Sequence, residues 1–120
     1  MKKAEIQTNA DKMIIFEKSN TYVFYYQDII GFFSEHPYVK IETTTLKSTL
    51  IFHSLKEISP LLPPEFVMCN RSSIINIAYI AQSISDSAKC IFLLKNGRYI
   101  RSARRKKTTI TSKILSVIRK

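Results

Sequence analysis

The sequence predicts a mainly β fold of short antiparallel strands, with one short helix in mid-chain and a second helix at the C-terminus. Three observations predict it. The chain is rich in β-branched residues and carries seven Phe and six Tyr but only two Gly in 120 residues, a vocabulary that suits pleated, half-buried surfaces. Several apolar stretches are short and bounded by turn residues. The apolar period changes to helical spacing twice, after residue 54 and again toward the C-terminus.

Taken in order, residues 1–12 are polar and are expected to be a flexible segment or linker, with the domain itself spanning 13–120. MIIFEK (13–18) and TYVFYY (21–26) read as a hairpin turning at Ser19–Asn20. DIIGFFS (28–34) is a third strand, and a loop through His36–Pro37 leads to YVKIETTT (38–45). In that strand Val39, Ile41 and Thr43 share one face while Tyr38, Lys40 and Glu42 share the other, the alternation of a half-buried strand. STLIF (48–52) pairs back onto it.

Ser54-Leu55-Lys56-Glu57 is a capping box, followed by Ile58 and Leu62 at helical spacing. Pro60 ends or kinks this helix early, and Pro63–Pro64 stop it. FVMCN (66–70) is a strand, Arg71-Ser72-Ser73 a polar turn, and IINIAYI (74–80) an apolar run in which Asn76 caps its own turn. Strands follow at about 80–85 and 90–94. Asn96–Gly97 is the strongest hairpin turn of the chain. Ile110, Ile114, Val117 and Ile118 form one helical apolar stripe, with Ser102 as candidate N-cap.

The formal net charge is +10, and its placement is uneven. Residues 1–86 carry 8 Lys/Arg against 9 Asp/Glu, whereas residues 87–120 carry 11 Lys/Arg and no acid. Such asymmetry points to a polyanion, although a solvated basic face is the bland alternative. Cys69 and Cys90 stand 21 residues apart without metal-ligand spacing, which argues against zinc. Both are expected as reduced thiols, Cys69 as a small buried hydrophobe. No secretory leader and no apolar run near the ~18 residues of a membrane span is seen, so a cytoplasmic setting is expected. His36 and His53 lie on different elements, no phosphate-binding Gly loop exists, and nine scattered carboxylates single out no acid/base pair. A binding domain without metal or cofactor is expected, not an enzyme.

Three segments together resemble the LytTR family of DNA-binding domains that end many bacterial response regulators. D-I-I-G-F-F-S-E-H-P-Y-V-K-I-E-T (28–43) resembles its strand–loop–strand ending in Y-V-K-I. S-L-K-E-I (54–58) and P-P-E-F-V-M-C-N-R-S-S-I-I-N (63–76) resemble its helix and the signature that follows. L-K-N-G-R-Y-I-R-S-A-R-R (94–105) resembles its closing hairpin. The likeness spans about residues 13–118. Asn70 stands where the family usually carries His, Ala103 separates Ser102 from the arginines, and Pro60 interrupts the helix.

The resemblance implies an elongated antiparallel β fold lying along duplex DNA, with loops rather than a recognition helix entering the grooves. The candidate loops are 34–38, 69–73 and 101–107. His36, Arg71 and Arg104 are the candidate base readers, because an isolated side chain in a short loop can be aimed and an arginine fork matches guanine. Arg104 takes that role from its match to the family's closing arginine. Tyr38, Asn70, Ser72, Arg105, Lys106 and Lys107 are candidates for backbone or supporting contacts. The implied partners are double-stranded promoter DNA in repeats, a receiver domain in a longer parent chain, or a second copy on an adjacent repeat. The alternative is a module for RNA or single strands, which would use aromatics as stacking platforms. Phe24, Tyr26, Phe32 and Phe33 sit in strongly apolar strands and look like core, which favours duplex binding. Without the resemblance, Arg71 could equally pair with a carboxylate and Asn70 simply close a turn.

Overall fold

The computed structural model describes the main chain of residues 2–45, 47–85, 90–103 and 106–118, and their side chains apart from Lys107 and 116–118. Among these residues eleven strands form three antiparallel sheets. The N-terminal sheet holds β1 (Glu5–Thr8), β2 (Lys12–Glu17) and β3 (Asn20–Tyr25), in that order. The central sheet is built from β4 (Ile29–Glu35), β5 (Tyr38–Thr43), β6 (Thr49–Phe52), β7 (Phe66–Asn70) and β8 (Ser73–Asn76), in the order β6-β5-β4-β8-β7. The C-terminal sheet holds β9 (Ile80–Ser85), β10 (Cys90–Leu94) and β11 (Tyr99–Ser102), in the order β11-β10-β9. Two helices complete the fold, α1 (Leu55–Ile58) and α2 (Lys107–Ile118). The extents of 47 × 31 × 24 Å make the molecule elongated.

The central sheet is buried on both faces, and its alternation divides the core in two. Ile29, Phe32, Ile41, Phe66 and Ile74 pack with Met13, Ile15 and Phe24 of the N-terminal sheet, with Tyr26 of the 3-10 turn that follows it, and with Leu55 and Ile58 of α1. Ile30, Phe33, Val67, Cys69 and Ile75 pack with Phe92, Leu94 and Ile100 of the C-terminal sheet and with Ile110 of α2. A β-bulge between Ile29 and Gly31 lets Ile29 and Phe32 face the same side although three residues apart. Gly31 is required there by close approach, since a Cβ would lie 2.8 Å from the Ile74 carbonyl oxygen and 2.8 Å from the Phe33 ring. The four aromatics read as core, Phe24, Tyr26, Phe32 and Phe33, are all buried.

Most local signals act as expected. The Ser54 hydroxyl accepts from the Glu57 N–H at 3.3 Å. The Glu57 carboxylate takes bonds from the Ser54 hydroxyl and from Lys3 instead of reaching the Ser54 N–H. These bonds hold the Glu57 carboxyl below the usual carboxylate range, Lys3 contributing most. Pro60 lies in the 3-10 turn Ser59–Leu61 that ends α1. Asn76 is 3% exposed and caps the turn after β8, accepting from the Ala78 N–H and donating to the carbonyls of Tyr26 and Ile29. Gly97 adopts φ +91 in the β10–β11 turn, where a residue without Cβ carries no steric cost.

Three expectations are corrected. The segment 1–12, expected to be flexible or linker, contains β1, which pairs with β2, and buries Ala4. Its single well-placed apolar side chain, Ile6, gave no alternation to read. The first hairpin turns at Lys18–Ser19 rather than Ser19–Asn20, because Glu17 pairs with Asn20. Ser102 does not cap α2: it is buried at the end of β11, its hydroxyl donates to the Ala103 carbonyl, and α2 begins at Lys107. The pull of the β-ladder with Cys90 outweighs a capping role for Ser102.

Candidate nucleic-acid interface

Two turns and the segment after β11, all distant in sequence, meet along one rim of the central sheet, at the ends of its strands. Pairing of Phe33 with Ser73 brings the end of β4 beside the β7–β8 turn, and the Ser34 N–H donates to the Ser72 carbonyl at 2.9 Å. On the other side the Ala103 N–H donates to the Cys69 carbonyl at 3.0 Å. The Asn70 amide donates to the Arg101 carbonyl at 2.6 Å, while its oxygen accepts from the Ser72 N–H at 2.8 Å. A continuous seam of hydrogen bonds therefore runs from the residue after β11, through the β7–β8 turn, to the β4–β5 turn.

The side chains on this rim are placed differently from one another. His36 is exposed in the β4–β5 turn. Tyr38 begins β5, is 36% exposed, and packs edge-on against Phe52 at 6.1 Å between ring centroids. Arg71 and Ser72 are exposed in the β7–β8 turn, and Asn70 is half-buried behind them. Arg71 forms no ion pair among the described residues, so the carboxylate partner that sequence left open is not found there. Arg98 behaves in the opposite way. It pairs with Glu42 and lies 4.0 Å from the Phe33 ring centroid, which fixes the β10–β11 hairpin to the central sheet.

Lys106 follows the seam, its N–H donating to the Ala103 carbonyl at 2.9 Å. Arg104 and Arg105 lie outside the described residues, as does the Lys107 side chain. Six of the nine sequence-predicted positions, His36, Tyr38, Asn70, Arg71, Ser72 and Lys106, thus come together on or beside one rim. Sequence reasoning included Arg101 in the candidate loop 101–107 without a role of its own; it is exposed on β11 and its carbonyl anchors Asn70. The alternation in Tyr99-Ile100-Arg101-Ser102 was the signal for its outward position.

Behind the rim, burial pushes the Cys69 thiol up to about 12, so it is a protonated, unreactive core group at neutral pH. Among the described residues no cluster of three His, Cys, Asp or Glu could hold a metal ion. No described helix is long and apolar enough to cross a membrane.

The family model described as the LytTr DNA-binding domain matches residues 19–114. The chain belongs to the LytTR family. Membership makes it a DNA-binding domain and assigns it to transcription regulation. A solved LytTr DNA-binding domain from Bacillus cereus has the same fold, with a TM-score of 0.72 at 16% identity. The match covers 88% of this chain and 98% of that one. Among curated proteins, none matches the chain. The mainly β LytTR fold expected from the sequence is the fold observed.

Proposed function

We infer that this LytTR domain reads a preferred sequence in double-stranded DNA with the stitched rim of its central sheet. The observation that carries the reading is the seam itself, which aligns two turns and the segment after β11 while leaving His36 and Arg71 exposed. Hydrogen bonds on both flanks fix the backbone of the turn, so an exposed Arg71 that forms no ion pair among the described residues is presented at a defined place. Arg71 and His36, with Arg104, face base edges, since an arginine fork matches guanine O6 and N7. Tyr38, Ser72, Arg105, Lys106 and Lys107 meet phosphates, and Asn70 supports the turn. The stacking alternative for single strands or RNA is weakened by the burial of Phe24, Tyr26, Phe32 and Phe33.

The family likeness supports the wider role. The domain acts in the cytoplasm as the non-catalytic output of a response regulator, on promoter repeats, either below a receiver domain in a longer chain or beside a second copy. Selection from random duplexes identifies the preferred site. On that site Arg71→Ala costs about 1–3 kcal/mol and relaxes preference at one base pair, whereas Lys106→Ala weakens all sequences alike and lowers the salt slope by about one. Equal losses for Arg71→Ala on every single-base variant would remove it as a reader and leave DNA shape as the source of specificity.

A further inference from the structure

We propose that the domain has a second, N-terminal phosphate-binding pole, formed by Lys2 and Lys18, which extends its footprint on duplex DNA beyond the β4–β5 turn. The proposal rests on the duplex reading above. It starts from a cleft of ≈ 600 Å³ lined by Lys2, Lys3, Lys18, Glu5, Glu17 and the rings of Phe16, Tyr38 and Phe52. Tyr38 belongs both to this cleft and to the DNA-facing rim.

The backbone makes the two regions continuous. Glu35 pairs with Tyr38 across the His36–Pro37 turn, and Tyr38 pairs with Phe52. The Ala4 N–H then donates to the Phe52 carbonyl at 3.1 Å, which places the N-terminal arm beside β6. The Glu17 carboxylate accepts from the Phe52 N–H at 2.8 Å and brings the Lys18 turn to the same place. The seam that begins at Ala103 therefore continues past His36 to Lys2 and Lys18.

The charges in the cleft are not equivalent. Lys3 is paired with Glu57, and Glu17 is committed to the Phe52 N–H. Lys2 and Lys18 are exposed and form no ion pair among the described residues. Lys18 is exposed in the β2–β3 turn, with φ 55. Compact ammonium groups on flexible stems suit phosphate oxygens as point charges. Glu5, on β1 opposite Phe16, and Glu17, whose charge its bond to the Phe52 N–H orients without cancelling, are the opposing carboxylates. Excess charge in the last third of the sequence concealed this pole, because its lysines sit in an acid-balanced region.

Distance sets where the pole falls on DNA. From the β7–β8 turn to the N-terminal arm there are four backbone-bonded steps, through β4, β5 and β6, at about 4.8 Å each, or roughly 19 Å. At ~3.4 Å per base pair this is about 5–6 base pairs from the one under Arg71.

The test compares Lys2→Gln/Lys18→Asn with the parent domain on the selected duplex and on two duplexes, each trimmed by about 6 base pairs on one side. Asn tolerates the backbone of residue 18, and both side chains are exposed, so thermal melting should stay unchanged. On the full duplex the double variant loses roughly three- to tenfold in affinity, and its salt slope falls by about one to two. One trimmed duplex abolishes the difference between variant and parent, and the other preserves it. Glu5→Gln tightens binding to the full duplex and to the same trimmed duplex that preserves the difference. Equal affinity and slope for parent and double variant on the full duplex would overturn the pole while leaving Arg71 as reader. No duplex binding by the parent would overturn the underlying reading instead.

Discussion

Asn70 offers the sharpest separation of positioning from reading, because its two side-chain ends are already occupied. One end holds the Arg101 carbonyl at 2.6 Å and the other the Ser72 N–H at 2.8 Å. Asn70→Ala removes both bonds at a half-buried position, where water can partly replace them. At roughly 0.5–1.5 kcal/mol per bond, the loss is about 1–2 kcal/mol of stability. For a domain of this size that is a fall in melting temperature of about 3–8 °C. Asn70→Asp keeps the acceptor for Ser72 but sets a carboxylate against the Arg101 carbonyl and faces DNA with a negative charge. It should melt like the Ala variant and bind duplex more weakly. The assay pairs calorimetric melting with binding to the selected site and to its variants at the base pair under Arg71. Positioning predicts that Asn70→Ala lowers melting and blurs discrimination at that base pair together. Unchanged melting, with preference relaxed at some other single base pair, would refute the argument and make Asn70 a reader in its own right.

The remaining predictions concern the core that holds the rim. Ile110 is 0% exposed, so Ile110→Ala should cost about 2–4 kcal/mol in denaturant unfolding. Ile114 is half-buried against the same cluster and should cost less, and the reverse order would mean that α2 docks by another face. Native Cys69 should resist alkylation at pH 8 and react only on unfolding, as mass spectrometry can record. Because its thiol is raised to about 12, the unfolded state ionises first, and stability should fall as pH rises from the ordinary thiol range toward that value. Gly31→Ala must displace both the Ile74 carbonyl and the Phe33 ring, costing about 1–3 kcal/mol. It should also weaken duplex binding although it lies within the core, and a variant with parental stability would show that the bulge yields freely.

Elements that rest on neighbours in sequence were legible, and those that rest on distant partners were not. Asn96–Gly97, the Ser54–Glu57 box and the alternation of Val39 and Ile41 carry their geometry within a few residues. The strand at Glu5–Thr8 exists because β2 offers a pairing edge and the core accepts Ala4, neither of which its own residues announce. Ser102 has the chemistry of a helix cap, yet it closes the ladder to Cys90 instead. Arg71 and His36 were recognisable as isolated side chains in short loops. Their adjacency was not, since it depends on β4 pairing with β8 across about forty residues of chain. Asn70 shows the same limit: its residue type allowed both a turn and a contact, and only the approach of Arg101 settles how its amide is engaged.

The order of the strands explains how turns far apart in sequence can act as one surface. Had β4 lain at an edge of the central sheet, the His36 turn would be tied down on one side only. It lies between β5 and β8, so its end is fixed by Val39 and Tyr38 on one flank and by Ser72 and Ser73 on the other. Core on both faces of that sheet resists tilting of β4 in either direction. Close packing makes such displacements costly, so the spacing between His36 and Arg71 is a property of the core rather than of the loops. A domain that reads DNA with turns needs this arrangement, because short loops alone would lose the ordering entropy of each contact. The pairing of β4 with β8 is therefore what sets two exposed side chains, distant in sequence, at a fixed separation on one surface.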